Sequence, residues 1–181
     1  MSTEQAVADP ATFDFSTLDD ARVAKARKRM SSGLLLRLYM LFKLPLGLFA
    51  GMRVARLDPE VCATRLPYGW RTTNPFKSMY FAAQSMAAEL STGALALMAV
   101  DVAPTSVAML ITGLEAEFGK KATSWTTFTC EDGAAIFAAV ARTVETGEPE
   151  TVRVSTVGRM DDGTVVARFT FTWSFKRRAS R

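Results

Sequence analysis

Residues 74–99 read Asn-Pro-Phe-Lys-Ser-Met-Tyr-Phe-Ala-Ala-Gln-Ser-Met-Ala-Ala-Glu-Leu-Ser-Thr-Gly-Ala-Leu-Ala-Leu-Met-Ala, a helical stretch that is apolar on nearly every side yet carries one carboxylate, Glu89. At about 100° per residue, Met79, Ala82, Ala83, Met86, Leu90, Gly93 and Leu97 fall on one apolar stripe, and Glu89 lies about 60° from its centre. Ser78, Ser85 and Thr92 share that flank. From Ala82 to Ala99, 11 of 18 residues are Ala, Gly, Ser or Thr, so other backbones can approach closely. The Asn74-Pro75 pair reads as the helix start, with Asn as N-cap and Pro in the first turn. A carboxylate on a helix built for burial is costly unless it is paired or used. Glu89 is therefore the first candidate for chemistry.

On the N-terminal side, residues 33–52 are the most hydrophobic stretch, interrupted by Arg37, Lys43 and Pro45. This makes a poor spanning segment. It reads as a helix to about Leu44 with a break at Pro45, packed on the domain or touching acyl chains or a membrane surface. Met52–Leu57 and Val61–Leu66 read as short strands around an Asp58-Pro59 turn. On the C-terminal side, strands are expected over Thr105–Thr112, Lys121–Cys130, Thr151–Val157 and Thr164–Phe175. The last alternates Val165, Ala167, Phe169, Phe171, Trp173 and Phe175 on one face, after an Asp161-Asp162-Gly163 hairpin turn. Asp132 to Glu145, closed by Gly147, reads as an amphipathic helix between the fourth and fifth strands. The class is α+β, an antiparallel sheet curled around the central helix. A polar extension, expected to be flexible, is read over residues 1–30, the domain over 31–177 and a basic tail over 178–181.

The chain has 181 residues, 49% hydrophobic and 22% charged, a soluble balance large enough for its own core. Two cysteines, Cys62 and Cys130, form no Cys-x-x-Cys pair, and a reduced, cytoplasmic setting is expected. No histidine occurs, which removes Ser-His-Asp and Cys-His nucleophile systems and most zinc sites, so no metal is expected. The net charge is +4, with basic clusters at Arg22–Arg29 and Lys176–Arg181. These read as solvated termini or as attraction to an anionic membrane or a polyphosphate ligand. No nucleic-acid motif is present, and peripheral membrane contact is a secondary reading that is not expected.

The helix, its acid and the preceding Asn resemble the hotdog-fold thioesterases. The phenylacetate-type branch of that superfamily has Asn-x-x-Gly-x-x-His-Gly-Gly and an acid fifteen residues after the Asn. Asn74 and Glu89 stand fifteen apart. The chain is more similar to uncharacterised hotdog proteins grouped as domain of unknown function 4442. The likeness rests on Arg-Leu-Pro-Tyr-Gly-Trp-Arg-Thr-Thr-Asn-Pro (65–75), Ala-Ala-Glu-Leu-Ser-Thr-Gly (87–93), Lys-Lys-Ala (120–122) and Trp-Ser-Phe-Lys (173–176), and covers about residues 33–177. Lys77 replaces the branch's first Gly, and Tyr80, Phe81 and Ala82 replace His-Gly-Gly. Those side chains narrow the approach and leave the backbone donors in place.

The resemblance implies an acyl-CoA or acyl-carrier-protein thioesterase working as a homodimer or tetramer, with coenzyme A entering only as part of the substrate. Glu89 would activate water or attack the thioester, the Phe81 N–H would polarise its carbonyl with Ala82 as neighbour, and Asn74 would position water or carbonyl. Ser106 would hold the water from the partner subunit. Tyr80, Ser85 and Thr92 would line the pocket, and Lys120 and Lys121 would meet the coenzyme A phosphates. A structural role stands beside each: Glu89 as a paired buried acid, Asn74 as a cap, Ser106 as a strand residue, Tyr80 as a core or interface ring, and the lysines as solvated edge charges. Arg71 is read as pairing Glu89 or binding phosphate. The rings of Tyr80 and Phe81 favour an aliphatic acyl chain, threaded under residues 34–49, over an aryl group. A non-catalytic dimer binding an acyl chain is the alternative function.

Overall fold

The computed structural model describes residues 13–31 and 33–179. After a 3-10 turn at Phe15–Thr17 come α1 (Asp20–Ser31), α2 (Gly33–Lys43), α3 (Pro45–Ala50), β1 (Arg53–Leu57) and β2 (Cys62–Leu66). These are followed by α4 (Phe81–Val102), β3 (Val107–Phe118), β4 (Thr126–Cys130), α5 (Gly133–Thr146), β5 (Glu150–Met160) and β6 (Val165–Arg177). The strands form one antiparallel sheet in the order β1-β2-β4-β5-β6-β3. Its concave face holds α4, the hotdog arrangement expected from the sequence.

The strand faces follow the residue alternation. Along β6, Ala167, Phe169, Phe171, Trp173 and Phe175 are buried, as the period-two pattern requires. α4 buries a different side from the expected stripe. Ala82, Met86, Leu90, Gly93 and Leu97 are only half buried, while Ala87, Ala88, Ser91 and Leu95 are fully enclosed. The small side chains let the helix lie close against the sheet, and the bulkier stripe faces a cavity instead. α4 is long and apolar enough to cross a membrane, but half of its apolar window is buried inside the domain.

Several boundaries differ from the sequence reading. β3 runs on to Phe118, extended by its pairing with β6. The expected strand at Lys121 begins only at Thr126, because residues 119–122 turn back to bond elsewhere. The Gly119 N–H donates to Val166 O (2.9 Å), and Ala122 O accepts the Met79 N–H (2.7 Å). Part of the segment read as an N-terminal extension is built onto the domain. The rings of Phe13 and Phe15 lie 5.5 Å from that of Phe137. From α1, Arg22 Nη1 donates to Val102 O (3.2 Å), meeting an orphan carbonyl and the negative dipole end of α4. Residues 1–12 lie outside the described residues, as do the last two of the basic tail.

α5 starts where expected, but Asp132 does not cap it through its side chain. Its carboxylate accepts instead from Ser155 N (2.6 Å) and Oγ (3.1 Å). Gly133 then passes so near the β1–β2 turn that a Cβ there would run into the carbonyl oxygens of Pro59 and Glu60. Backbone on both sides leaves no room to relax. Gly133→Ala is expected to destabilise the fold by about 1–3 kcal/mol, the usual range for overpacking, read as a lowered denaturation midpoint. An unchanged midpoint contradicts the contact.

Candidate active site

Glu89 lies at one concavity on α4, and Asn74, Tyr80, Phe81, Lys120 and Lys121 lie at another. The larger, about 630 Å³, is in the size range of small-molecule sites. Leu36, Tyr39 and Leu44 from the α2–α3 segment roof it, Met86, Leu90 and Gly93 of α4 form its floor, and Met109 and Trp173 close it on the sheet side. Among the described residues, the lining includes one acid, Glu89, and one cation, Lys43. Glu89 keeps a route to solvent, yet burial against the wall raises its carboxyl above the usual carboxylate range. Among the described residues no hydrogen bond or ion pair holds its carboxylate, Arg71 included. A carboxylate held against carbon on one side and open to water on the other accepts a proton more readily than a fully solvated one, a property a general base can use.

The second concavity, about 530 Å³, lies at the start of α4 among Asn74, Tyr80, Phe81, Gln84, Lys120 and Lys121. The sequence-expected helix start at Asn74 is displaced to Phe81. Asn74 Oδ1 instead accepts from the N–H groups of Phe76 (3.0 Å) and Ser78 (3.3 Å), and its Nδ2 meets Ser78 Oγ (3.1 Å). The turn so formed puts Lys77 in the left-handed region (φ 56°), which no helix continues through. Tyr80 is the N-cap and offers no side-chain acceptor. Among the described residues the N–H groups of Phe81 and Ala82 have no partner, and they carry the positive end of the helix dipole. The two faces of the cleft are tied together by Lys121, whose Nζ donates to Phe76 O (3.1 Å). Gln84 was not a sequence candidate. It is 4% exposed, donates through Nε2 to Met79 O (3.3 Å) and leaves Oε1 without a partner among the described residues.

Other candidates have structural duties. Thr92, expected to line the pocket, is buried. Its Oγ1 accepts from Trp173 Nε1 (3.1 Å) and donates to Glu89 O (3.1 Å), so both hydroxyl functions are occupied. Ser85 donates to Phe81 O (2.9 Å), and Ala82 is half buried. Ser106 is exposed just before β3, its carbonyl accepting from Arg178 N–H (2.9 Å), and it lines neither cavity. Tyr80 and Phe81 stack edge to face at 4.9 Å, partly exposed. Glu89 and the Phe81 N–H are eight residues apart on one helix, about 12 Å along its axis. Within one chain, a single thioester cannot touch both. Lys43 was also missed as a site residue, although at helical spacing it follows Leu36 and Met40 on the inward side of α2.

The family model for a domain of unknown function, DUF4442, matches residues 33–175. No curated protein matches the chain. Among solved structures, a Pseudomonas aeruginosa protein of unknown function, described as a probable thioesterase, is 22% identical. The match covers 80% of this chain and 95% of that one, with a TM-score of 0.67. A protein of unknown function from Chlorobaculum tepidum is 10% identical over 79% and 93% of the two chains, with a TM-score of 0.68. A thioesterase from Haemophilus influenzae is 11% identical over 80% and 91%, with a TM-score of 0.55. At these identities the likeness establishes the shared hotdog fold.

The Asn74 turn is testable. Asn74→Ala removes the acceptor for two backbone N–H groups and is expected to cost about 1–2 kcal/mol of stability. Asn74→Asp keeps an acceptor oxygen and should recover most of the loss in thermal denaturation. Equal losses for both would separate Asn74 from the turn.

Proposed function

We propose, from the premise that this chain belongs to the DUF4442 family, that it is a thioester hydrolase acting on aliphatic acyl groups carried by coenzyme A or an acyl-carrier protein. One observation carries the reading: a lone carboxylate, Glu89, on the wall of an apolar cavity of about 630 Å³. The acyl chain occupies the cavity beneath α2. Glu89 takes a proton from water, the hydroxide adds to the thioester carbonyl, and an N–H at an α4 start stabilises the oxyanion. The C–S bond then breaks, and the thiolate leaves with the proton that Glu89 held.

The gap of about 12 Å between Glu89 and the Phe81 N–H is the reason to assign the two groups to different copies in a homodimer. β3 supports that assembly. It is an edge strand of 12 residues whose Leu110, Leu114 and Phe118 are exposed, a poor edge to leave uncovered. Antiparallel pairing of two β3 strands would bring Ser106 of one copy towards Phe118 and the α4 start of the other. The lysines at 120 and 121 favour an anionic carrier at that end. A second reading, an acyl-binding dimer without turnover, is favoured by the rings of Tyr80 and Phe81 at the cleft, and the same assays separate the two.

Glu89→Gln should lower thiol release from medium-chain acyl-CoA by about 10²–10⁴-fold. It should not lower the melting point at neutral pH. Because burial raises the folded-state pKa, ionised Glu89 weakens the fold above its unfolded pKa, and Gln relieves that. For the same reason the acid limb of the rate profile should lie above the usual carboxylate range. Undiminished release by a folded Glu89→Gln protein excludes the assignment.

Phe81→Pro removes one N–H at a position where helices accept Pro, and should lower the rate by about 10²–10³-fold. If the site is composite, a mixed dimer of Glu89→Gln and Phe81→Pro chains regains one working site. An inactive mixed dimer, or a monomer in sedimentation, contradicts the shared site.

A further inference from the structure

The outward side of α2 and α3 has no use in the fold or in the proposed chemistry. α2 turns Leu36 and Met40 inward, while Leu34, Leu38, Leu41 and Phe42 point away from the core and are 71%, 46%, 53% and 75% exposed. α3 continues the surface with Phe49, 53% exposed, and Trp70, 79% exposed, sets its ring 5.8 Å from that of Phe49. Scattered exposed leucines are ordinary, but this is a run of large apolar side chains on one segment, with an indole at its border.

Its charge is equally one-sided. Residues 33–51 hold Arg37 and Lys43 and no Asp or Glu, and the preceding α1 adds Arg22, Lys25, Arg27, Lys28 and Arg29, in a chain whose net charge is only +4. Arg37 is exposed on α2, and the guanidinium of Arg71 sits beside Gly51 at the end of α3. An apolar face with Trp at its margin and basic residues around it matches the interface of an anionic bilayer, where leucine and phenylalanine enter the acyl boundary and the cations meet headgroup phosphates. The inner side of the same segment roofs the cavity that holds Glu89.

We propose that the α2–α3 segment is a membrane-docking surface for anionic lipid, the reading that the sequence held only as secondary. It seats the roof of the cavity at the acyl boundary. This inference does not rest on hydrolysis, since the surface would serve an acyl-binding protein equally.

The test is vesicle flotation of the full chain on phosphatidylcholine with and without phosphatidylglycerol. Recovery on anionic vesicles is expected to exceed that on neutral ones by about 10-fold and to fall with added salt. The paired change Leu38→Ser and Phe42→Ser, and separately Arg37→Glu, should each reduce anionic recovery several-fold. Their melting points, sedimentation and turnover of a short-chain soluble thioester should not change. Tryptophan emission should shift to the blue on anionic vesicles, and Trp70→Phe should remove that shift. Equal recovery on neutral and anionic vesicles, or none on either, overturns the proposal. So does loss of a dimer in the Leu38→Ser and Phe42→Ser protein without vesicles, which would make the face an interface between copies, and so does retention only by an acidic carrier protein. Glu89→Gln should float like the unmodified chain, which keeps a failure of docking distinct from a failure of catalysis.

Discussion

Three buried hydroxyl contacts fix α4 against the sheet, and the remaining architecture follows from how close they bring it. Thr64 Oγ1 of β2 donates to Ala87 O at 2.6 Å, Ser91 Oγ meets Thr156 Oγ1 of β5 at 2.8 Å, and Trp173 Nε1 of β6 donates to Thr92 Oγ1 at 3.1 Å. All three are enclosed, so each polar atom must be satisfied within the fold or cost its full desolvation. Hydroxyls this short reach across only when the facing residues are small. Ala87, Ala88 and Ser91 supply that side, and a larger residue there would lift the helix and leave three strands with unsatisfied groups. The bulk of α4 is therefore displaced to its other flank, where Met86, Leu90 and Leu97 stand away from the sheet. The space they border, closed by α2 and α3, is the cavity.

The position of Glu89 follows from the same geometry. It is one turn from Thr92 and one residue from buried Ala88, so fixing those two fixes its backbone on the cavity side. Its carboxyl meets carbon on the inner side and water on the outer side. Burial raises its affinity for a proton above that of a fully solvated carboxylate. A partner cation within reach would lower its pKa and remove that property. The α4 start shows the complementary pattern, with unpartnered N–H groups where the Asn74 turn ends. Acid and donors thus sit at separate stations of one rigid element.

The fold was legible because its signals are periodic and local. The two-residue alternation of β6, the Pro45 break, the Gly147 stop of α5 and the Asp-Asp-Gly hairpin each state their structure over a few residues. The misreadings share one cause, contacts made far along the chain. Asn74-Pro75 has the composition of a helix start, yet Met79 is claimed by Ala122 and Thr73, and the helix waits until Phe81. Lys121–Trp125 has strand composition, yet Ala122 supplies that contact and leaves the ladder. Of the apolar stripe read over 79–97, Ala82, Met86, Leu90, Gly93 and Leu97 share the half-buried side of α4, whereas Met79 precedes the helix and Ala83 is buried. Hydrophobicity alone cannot say whether a face meets a sheet or a cavity. Glu89 was legible as an anomaly of composition. Gln84 was not, because an amide in an alanine-rich helix carries no signal until burial leaves its oxygen unpaired.

α2 resolves a last ambiguity of that kind. A helix apolar all round is ordinarily buried all round, and the sequence alone permits that reading for residues 33–44. The domain provides one apolar surface for it, and Leu36 and Met40 use it. Nothing among the described residues covers the opposite side, where charge is added in one sign only. If α2 were simply a core helix, its outer positions would be free to take polar residues at no cost to the cavity roof. Leu34, Leu38, Leu41 and Phe42 stand there instead, flanked by Arg37. Solvation by water does not account for that combination, whereas a low-dielectric layer bordered by negative charge does.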